Sequence, residues 1–479
     1  MLAGFRRLAL ACVVLPALVM PILGHANASV PQAQTPRRMA LVGGMLLDGN
    51  EAPPINHAAV LIEGNRIVKV GRASEITIPP DYLVIDTSGL TMMPGMMETH
   101  AHLAIMGHGD YGRWFAWLAQ HKAQFPPEAV FEISAKQLLM AGITSAIDLG
   151  GSMAPSLAVR DRIARGEVPG PRMQVSGPPI NHRAGPPGSP EQLLGPGTGI
   201  TTPAEAAAAV EDHIRQGVDV IKCQVPLSLD EYKAIVEAAH KHNVKVHAHL
   251  YAERELADAL HAGIDVLQHV GSAGVPLYST ALMKEIVDAG RPVVPTAAHR
   301  VFIWPATLEF PERLQSRQLK QLTPPEIWAE IQDSIKDYRS LQYFNTTDRQ
   351  MFFADADMRQ WITSGAVIGM GTDSGTPMNF HSDALWREAK SFVDHGMPPI
   401  KVISALTRIN ARIYSKPGTR SELGTIEAGK LADIIVVDGN PLFDIVALSH
   451  VVDVVKDGVV WKKDGVFVDA SKRRSPGVH

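Results

Sequence analysis

The residues best suited to chemistry are histidines spaced two apart and single charged groups set in apolar runs. The first pair is His100-Ala101-His102, preceded by Glu98-Thr99. In an extended strand, alternate side chains share a face, so both imidazoles would point the same way. Neutral imidazole is a common zinc ligand, and two on one face can chelate a single ion. A second such pair is His247-Ala248-His249, and His269 follows Gln268. Lys222 stands in the apolar run Val218-Asp219-Val220-Ile221-Lys222-Cys223, and Asp373 ends Gly371-Thr372-Asp373. Each of these alone has an ordinary explanation. A histidine at a strand end is most often a hydrogen-bonded core residue, and a lysine in an apolar run can extend its amine to the surface. Their value depends on whether the chain brings them together.

Short apolar runs alternating with longer helical patterns are the elements that would do so. The runs span 96–98, 143–148, 173–176, 218–223, 244–250, 266–269, 292–296 and 367–373. Helical stretches at 204–216, 229–242, 253–261 and 277–289 lie between successive runs. Eight strand–helix repeats predict a closed (β/α)8 TIM barrel, whose chemistry gathers at the C-terminal ends of its strands. Gly142, Gly217, Gly263, Gly290 and Gly365 each precede a run, where a helix end needs a residue tolerating positive φ. His100, His102, Lys222, His249, His269 and Asp373 all fall at predicted strand ends. A set at five ends of one barrel is far more specific than any single member.

The flanks have a different rhythm. Residues 40–47, 58–63, 66–70 and 83–86 are strand-like, with Gly64-Asn65 as a hairpin turn, and the pattern returns at 431–438, 451–456 and 459–462. Neither flank could bury its apolar face alone, so the two ends are expected to pair into a small β-sandwich. The predicted domains are residues 29–93 and 421–479 for the two parts of that sandwich and 94–420 for the barrel. One connection, 297–350, is far longer than the others and rich in aromatic residues, as binding elements and added helical subdomains both are.

Residues 1–28 read as a secretory signal peptide. Arg6 and Arg7 precede a nearly unbroken apolar stretch, and Ala26-Asn27-Ala28 fits a small-x-small cleavage pattern. Pro16 and Pro21 disfavour a stable spanning helix there. The expected product is exported, periplasmic or secreted, with no stable membrane insertion after cleavage. Of the two cysteines, Cys12 lies in this segment, leaving Cys223 without an internal disulfide partner. A formal net charge of −4 with no basic stripe argues against nucleic acid as a partner. A homo-oligomer is compatible with the sequence but not specified by it.

With its motifs in place, the chain resembles the amidohydrolase superfamily, and within it the branch of imidazolonepropionase and the prolidase-like Xaa-Pro dipeptidases. The resemblance spans nearly all of the chain after residue 28. It rests on Pro94-Gly95-Met96-Met97-Glu98-Thr99-His100-Ala101-His102, Ala141-Gly142-Ile143-Thr144 through Asp148-Leu149-Gly150, Gly371-Thr372-Asp373-Ser374 and Leu423-Gly424-Thr425-Ile426-Glu427-Ala428-Gly429-Lys430. It implies two divalent metal ions, zinc in the first instance. His100 and His102 would bind one with Asp373, and His249 and His269 the other. Lys222, carboxylated by CO2, would bridge them. The bridging lysine favours a two-metal hydrolase of amides over a ring deaminase.

The resemblance further implies that a metal-activated water attacks a polarised carbonyl while Asp373 shuttles the proton. His182 is the expected oxyanion-stabilising residue, although Pro178 to Gly185 departs from the glycine-rich stretch usual there. A substrate carboxylate would need a cation or phenol, for which Arg300, Tyr251 and Arg254 are the expected contacts. The implied substrate is a small molecule, a dipeptide or N-acyl amino acid. Trp114, Phe115 and Trp117, with the aromatic residues of 302–344, hint at a bulky aromatic acyl group; some members of the superfamily hydrolyse aromatic amide toxins and xenobiotics. The alternative on the same centre is a lactonase or esterase, or a hydrolase of carbamates or ureas. A non-catalytic metal- or ligand-binding protein is a third reading, disfavoured because such a protein has no need of Asp373 beside a bridging lysine.

Overall fold

The computed structural model describes residues 38–182, 198–271, 276–298, 304–345 and 347–471. The expected signal peptide and Arg300 lie outside these residues. The chain begins with β1 (Arg38–Val42), β2 (Met45–Leu46), β3 (Ala58–Glu63), β4 (Arg66–Arg72), β5 (Leu83–Asp86) and β6 (Thr91–Pro94). Next come β7 (Met96–Ala101), β8 (Ile143–Asp148), β9 (Arg172–Val175), β10 (Ile180–His182), β11 (Thr198–Ile200), β12 (Val220–Cys223), β13 (Lys245–His249), β14 (Val266–Gln268) and β15 (Val293–Val294). β16 (Ile434–Val437), β17 (Val451–Lys456), β18 (Val459–Lys463) and β19 (Val466–Phe467) follow near the C-terminus.

The two chain ends meet in one sheet of order β19-β18-β17-β16-β6-β2, where β16 runs antiparallel to β6. A second sheet, β4-β3-β1-β5, comes from the N-terminal flank alone. Leu41, Val60 and Ile62 of that sheet share a buried cluster with Met92, Ile434 and Val436 of the first, so each sheet covers the other's apolar face. The expected single strand over 40–47 is two strands here. Gly43 takes φ +102°, and a Cβ at that position would meet the Ser88 hydroxyl at 2.4 Å, so the chain turns between β1 and β2.

The middle of the chain forms two parallel sheets, β7-β8-β9 and β11-β10-β12-β13-β14-β15. Main-chain hydrogen bonds cross between them on both sides. Asp219 N donates to Val175 O at 3.0 Å, tying the start of β12 to the end of β9. On the other side, residues 367–373 lie between β15 and β7. Val293 N donates to Val367 O and Gly369 N to Val293 O, both at 2.9 Å, while Asp373 N donates to His100 O at 2.8 Å. This segment was expected as a regular strand but contributes only isolated bridges. The Asn410 side chain explains part of the difference: it takes the amide and the carbonyl of Met370, groups that a ladder would otherwise use. Gly369 and Gly371 also weaken strand formation.

Helices Pro203–Gln216, Leu229–Lys241 and Glu253–Ala262 fall where expected. The first and third end at Gly217 and Gly263, both in the left-handed region, and the second opens with a Ser228–Glu231 capping box. The long connection carries helices Trp304–Glu309, Arg317–Leu322, Pro325–Ile335 and Thr347–Ser364. Its Leu314, Leu319, Ile327 and Ile331 pack with Ile105, Met106 and Trp114 into a core distinct from the main one. Gly109 N bonds Ser334 Oγ at 3.0 Å and Arg313 Nη2 bonds Met378 O at 3.2 Å. The connection is therefore fastened to the loops that follow His102 and Asp373. Among the described residues, no helix is long and apolar enough to cross a membrane.

Candidate metal centre

β7 delivers His100 and His102 to one end of the parallel sheets. Asp373 lies beside them because its amide bonds His100 O and its main chain takes φ +58°. His269 also has a positive φ, +63°, directly after β14. Left-handed geometry at two non-glycine residues is uncommon and costs conformational energy; such strain concentrates at functional sites. It turns both side chains toward the histidine pair. His100 Nε2 lies 3.6 Å, and His102 Nε2 3.0 Å, from the same Asp373 Oδ1. Ligand atoms of His100, His269 and Asp373 all fall within 4.8 Å of one another. The His249 ring centroid is 4.1 Å from that of His269, which in turn is 4.4 Å from that of His100.

Hydrogen bonds orient these rings from behind. His100 Nδ1 is 2.8 Å from Gln268 Oε1, and Gln268 Nε2 is 3.0 Å from His247 Nδ1. His269 Nδ1 is 2.8 Å from Thr296 Oγ1. Glu98 accepts from His100 N at 2.8 Å, Thr372 N at 3.0 Å and Thr372 Oγ1 at 2.7 Å. It thus clamps the two main-chain segments that carry His100 and Asp373. Burial pushes the Glu98 carboxyl up to about 8, despite those three donors.

Lys222 is buried, and its amine has no hydrogen-bond partner. Burial lowers its ammonium to about 7, against a smaller opposing pull from Asp373. The buried Nε2 of His100 is likewise without a hydrogen bond, and burial, then Lys222, pushes that imidazole well below its ordinary value. Unsatisfied buried nitrogens are costly in an apoprotein. Lone pairs on neutral His100 and Lys222, beside the Asp373 carboxylate, are the donor set a divalent cation would use. The residues present therefore fit a metal.

The remaining expected site residues are placed as follows. Tyr251 reaches the cluster: its ring is 4.4 Å from that of His249, edge to face. Arg254 does not. Its side chain is 93% exposed on the helix after β13, and its Nε lies 3.7 Å from Asp258. Tyr251 lies in the turn that leaves β13, whereas Arg254 is already on the helix that begins at Glu253, on a face open to solvent. His182 ends β10, with Nε2 2.9 Å from Glu231 Oε2, the carboxylate of the capping box. The tryptophans after β7 are structural: Trp114 is fully buried, stacks on Trp117 and donates its indole N–H to Ala104 O.

Sequence reading missed Glu98, Gln268 and Thr296 as supports. Glu98 and Gln268 each lie within two residues of a singled-out histidine, so alternation could have drawn attention to them. Thr296 carries no such signal.

The profile of the Amidohydrolase family matches residues 91–461, most of the chain. The chain belongs to this family. This amidohydrolase is a hydrolase acting on C–N bonds. It is 27% identical to the Ochratoxinase of Aspergillus niger over 487 aligned positions, covering 91% of this chain and 89% of that enzyme. The crystal structure of A. niger ochratoxinase superposes with a TM-score of 0.67 at 23% identity, over 90% of this chain and 97% of the other. A Xaa-Pro dipeptidase with bound methionine in its active site gives a TM-score of 0.68 at 24% identity, over 89% of this amidohydrolase and all of that chain.

Proposed function

We propose that this amidohydrolase uses two divalent metals to cleave the amide bond of a dipeptide or N-acyl amino acid, within a complete (β/α)8 barrel. The carrying observation is the convergence of His100, His102, His269 and Asp373, with Lys222 buried and unpaired. His100 and His102 would hold one ion with Asp373, and His249 and His269 the other. Lys222 would bridge them as a carbamate. When bound, two such cations, zinc in the first instance, would lower the pKa of a shared water and polarise a carbonyl.

The protein's own groups supply the rest. A lysine that loses its proton near neutrality has a lone pair for CO2: the Nζ–C bond forms, one C–O π pair moves to oxygen, and Nζ releases a proton. The carbamate so formed offers two anionic oxygens where an ammonium would repel cations. Asp373 would accept a proton at its carboxylate and return it to the leaving nitrogen. Tyr251, whose ring is edge-on to His249, would offer its phenol to a substrate carboxylate or oxyanion. The relation to Ochratoxinase supports a hydrolase, and a bulky aromatic acyl group belongs to this reading of the substrate. We further read residues 1–28 as a signal for export, with the mature chain beginning after Ala28.

A hydrolysis screen over N-acyl amino acids, dipeptides, aryl amides, lactones and ureas tests the substrate class. Preference for an ester or lactone over every amide would overturn it. Metal analysis should find close to two ions per chain, and one tightly held ion with unmodified Lys222 would sink the bridged centre. N-terminal sequencing of the exported product checks the cleavage position.

A further inference from the structure

We propose that His247 is a positioning residue that donates a hydrogen bond from Nε2 to the carbamate of Lys222, its tautomer set by Gln268; this rests on the reading of Lys222 given above. His247 and Lys222 are direct partners in the parallel pairing of β13 with β12, so their side chains leave the same face of the sheet. Both are buried, and both His247 Nε2 and Lys222 Nζ are without hydrogen-bond partners. Two buried orphaned nitrogens on paired residues are costly unless a further group satisfies them.

Gln268 determines what His247 can offer. For His100 to hold a cation through Nε2, that nitrogen must carry the lone pair, so Nδ1 carries the proton and gives it to Gln268 Oε1. The same amide then turns its NH2 toward His247 Nδ1, 3.0 Å away, which must accept. The His247 proton is thereby fixed on Nε2. One amide sets the two imidazoles in opposite senses: His100 presents a lone pair, His247 a donor. The carbamate, an anion with spare lone pairs, is the acceptor that this donor suits. The same logic separates the two histidines of β13. His249 packs against His269 among the ligands, whereas His247 is a donor.

The test follows the carbamate itself in the full-length, metal-loaded protein. The chain is equilibrated with 13C-bicarbonate, and loss of the labelled Lys222 carbamate signal is timed by NMR after transfer to unlabelled bicarbonate. A charge-assisted hydrogen bond corresponds to about tenfold or more in exchange, so His247→Phe should lose label at least that much faster. His247→Gln, which keeps an N–H donor, should stay closer to the parent. Equal loss rates in the parent and His247→Phe would overturn the proposal while leaving carboxylation intact. Absence of any carbamate in the parent would instead overturn the reading of Lys222 and this proposal with it. Selective 15N-histidine labelling of the parent tests the tautomer without a variant: protonation of His247 at Nε2 is expected, and at Nδ1 would overturn the proposal.

Discussion

In the mechanism proposed above, Asp373 would carry two duties, as a ligand to one cation and as the group that moves the proton. Asp373→Asn keeps the side-chain shape and one oxygen for His102, but the amide is a poor base. Turnover should fall about a thousandfold or more while circular dichroism stays unchanged. Steady-state kinetics beside metal analysis separates the two duties: a large kcat loss with metal retained identifies the proton-transfer role. Gly371 shows how close the packing is on the same segment. A Cβ there would lie 2.8 Å from His100 Cβ and 3.0 Å from His100 N. Gly371→Ala should therefore displace His100 and weaken metal binding, read as a higher metal dissociation constant by competition with a chelator.

The helix Thr347–Ser364 carries an unusual buried carboxylate. Asp357 is fully buried with neither oxygen hydrogen-bonded, and the main chain at Gly271, two residues past His269, packs against it so closely that a Cβ there would fall 2.7 Å from Asp357 Cβ. Burial pushes its carboxyl from 3.8 up to about 7. Because the folded value is the higher, the stabilising contribution is fully present below about pH 4. It is lost as pH rises through about 7, where the unfolded chain ionises freely and the folded chain resists. Asp357→Asn should flatten this dependence, so the variant gains on the parent at pH 8 relative to pH 4, by up to about 4 kcal/mol. Thermal melts at the two pH values check it, and parallel pH profiles would show that the carboxyl is not the source.

Across the whole molecule, the sheet formed by both chain ends is fastened to the parallel sheets by Arg172 of β9. Its guanidinium bonds Asp433 Oδ2 at 2.7 Å and also pairs with Asp457, in the turn between β17 and β18. Asp433 is almost wholly buried and also accepts from Asp457 N at 2.8 Å. Removing the guanidinium would strand a buried carboxylate, so Arg172→Ala should cost about 3 kcal/mol. The candidate metal site is built from other residues, so kcat/KM at a temperature where the variant stays folded should be nearly unchanged. A melting temperature equal to that of the parent would show that the sheets are held together without this pair.

The sequence by itself determined which residues could be ligands and where the regular helices lie, because both follow from local pattern. Histidines two apart share a strand face whatever surrounds them, and glycines after helices 203–216 and 253–262 sit where the main chain must turn left-handed. The meeting of the two chain ends in one sheet was also legible, since neither flank could bury its strands alone. Only the tertiary structure decided the rest, because it depends on partners distant in sequence. Gln268 links His100 to His247, Thr296 supports His269, and Asn410 replaces ladder bonds in the segment that leads to Asp373. Trp114 and Trp117 look alike in sequence to pocket-lining rings, yet they serve a core built with the long connection. Arg254 stands three residues from Tyr251, but Tyr251 lies in the turn after β13 beside His249, whereas Arg254 lies on the following helix with its side chain in solvent.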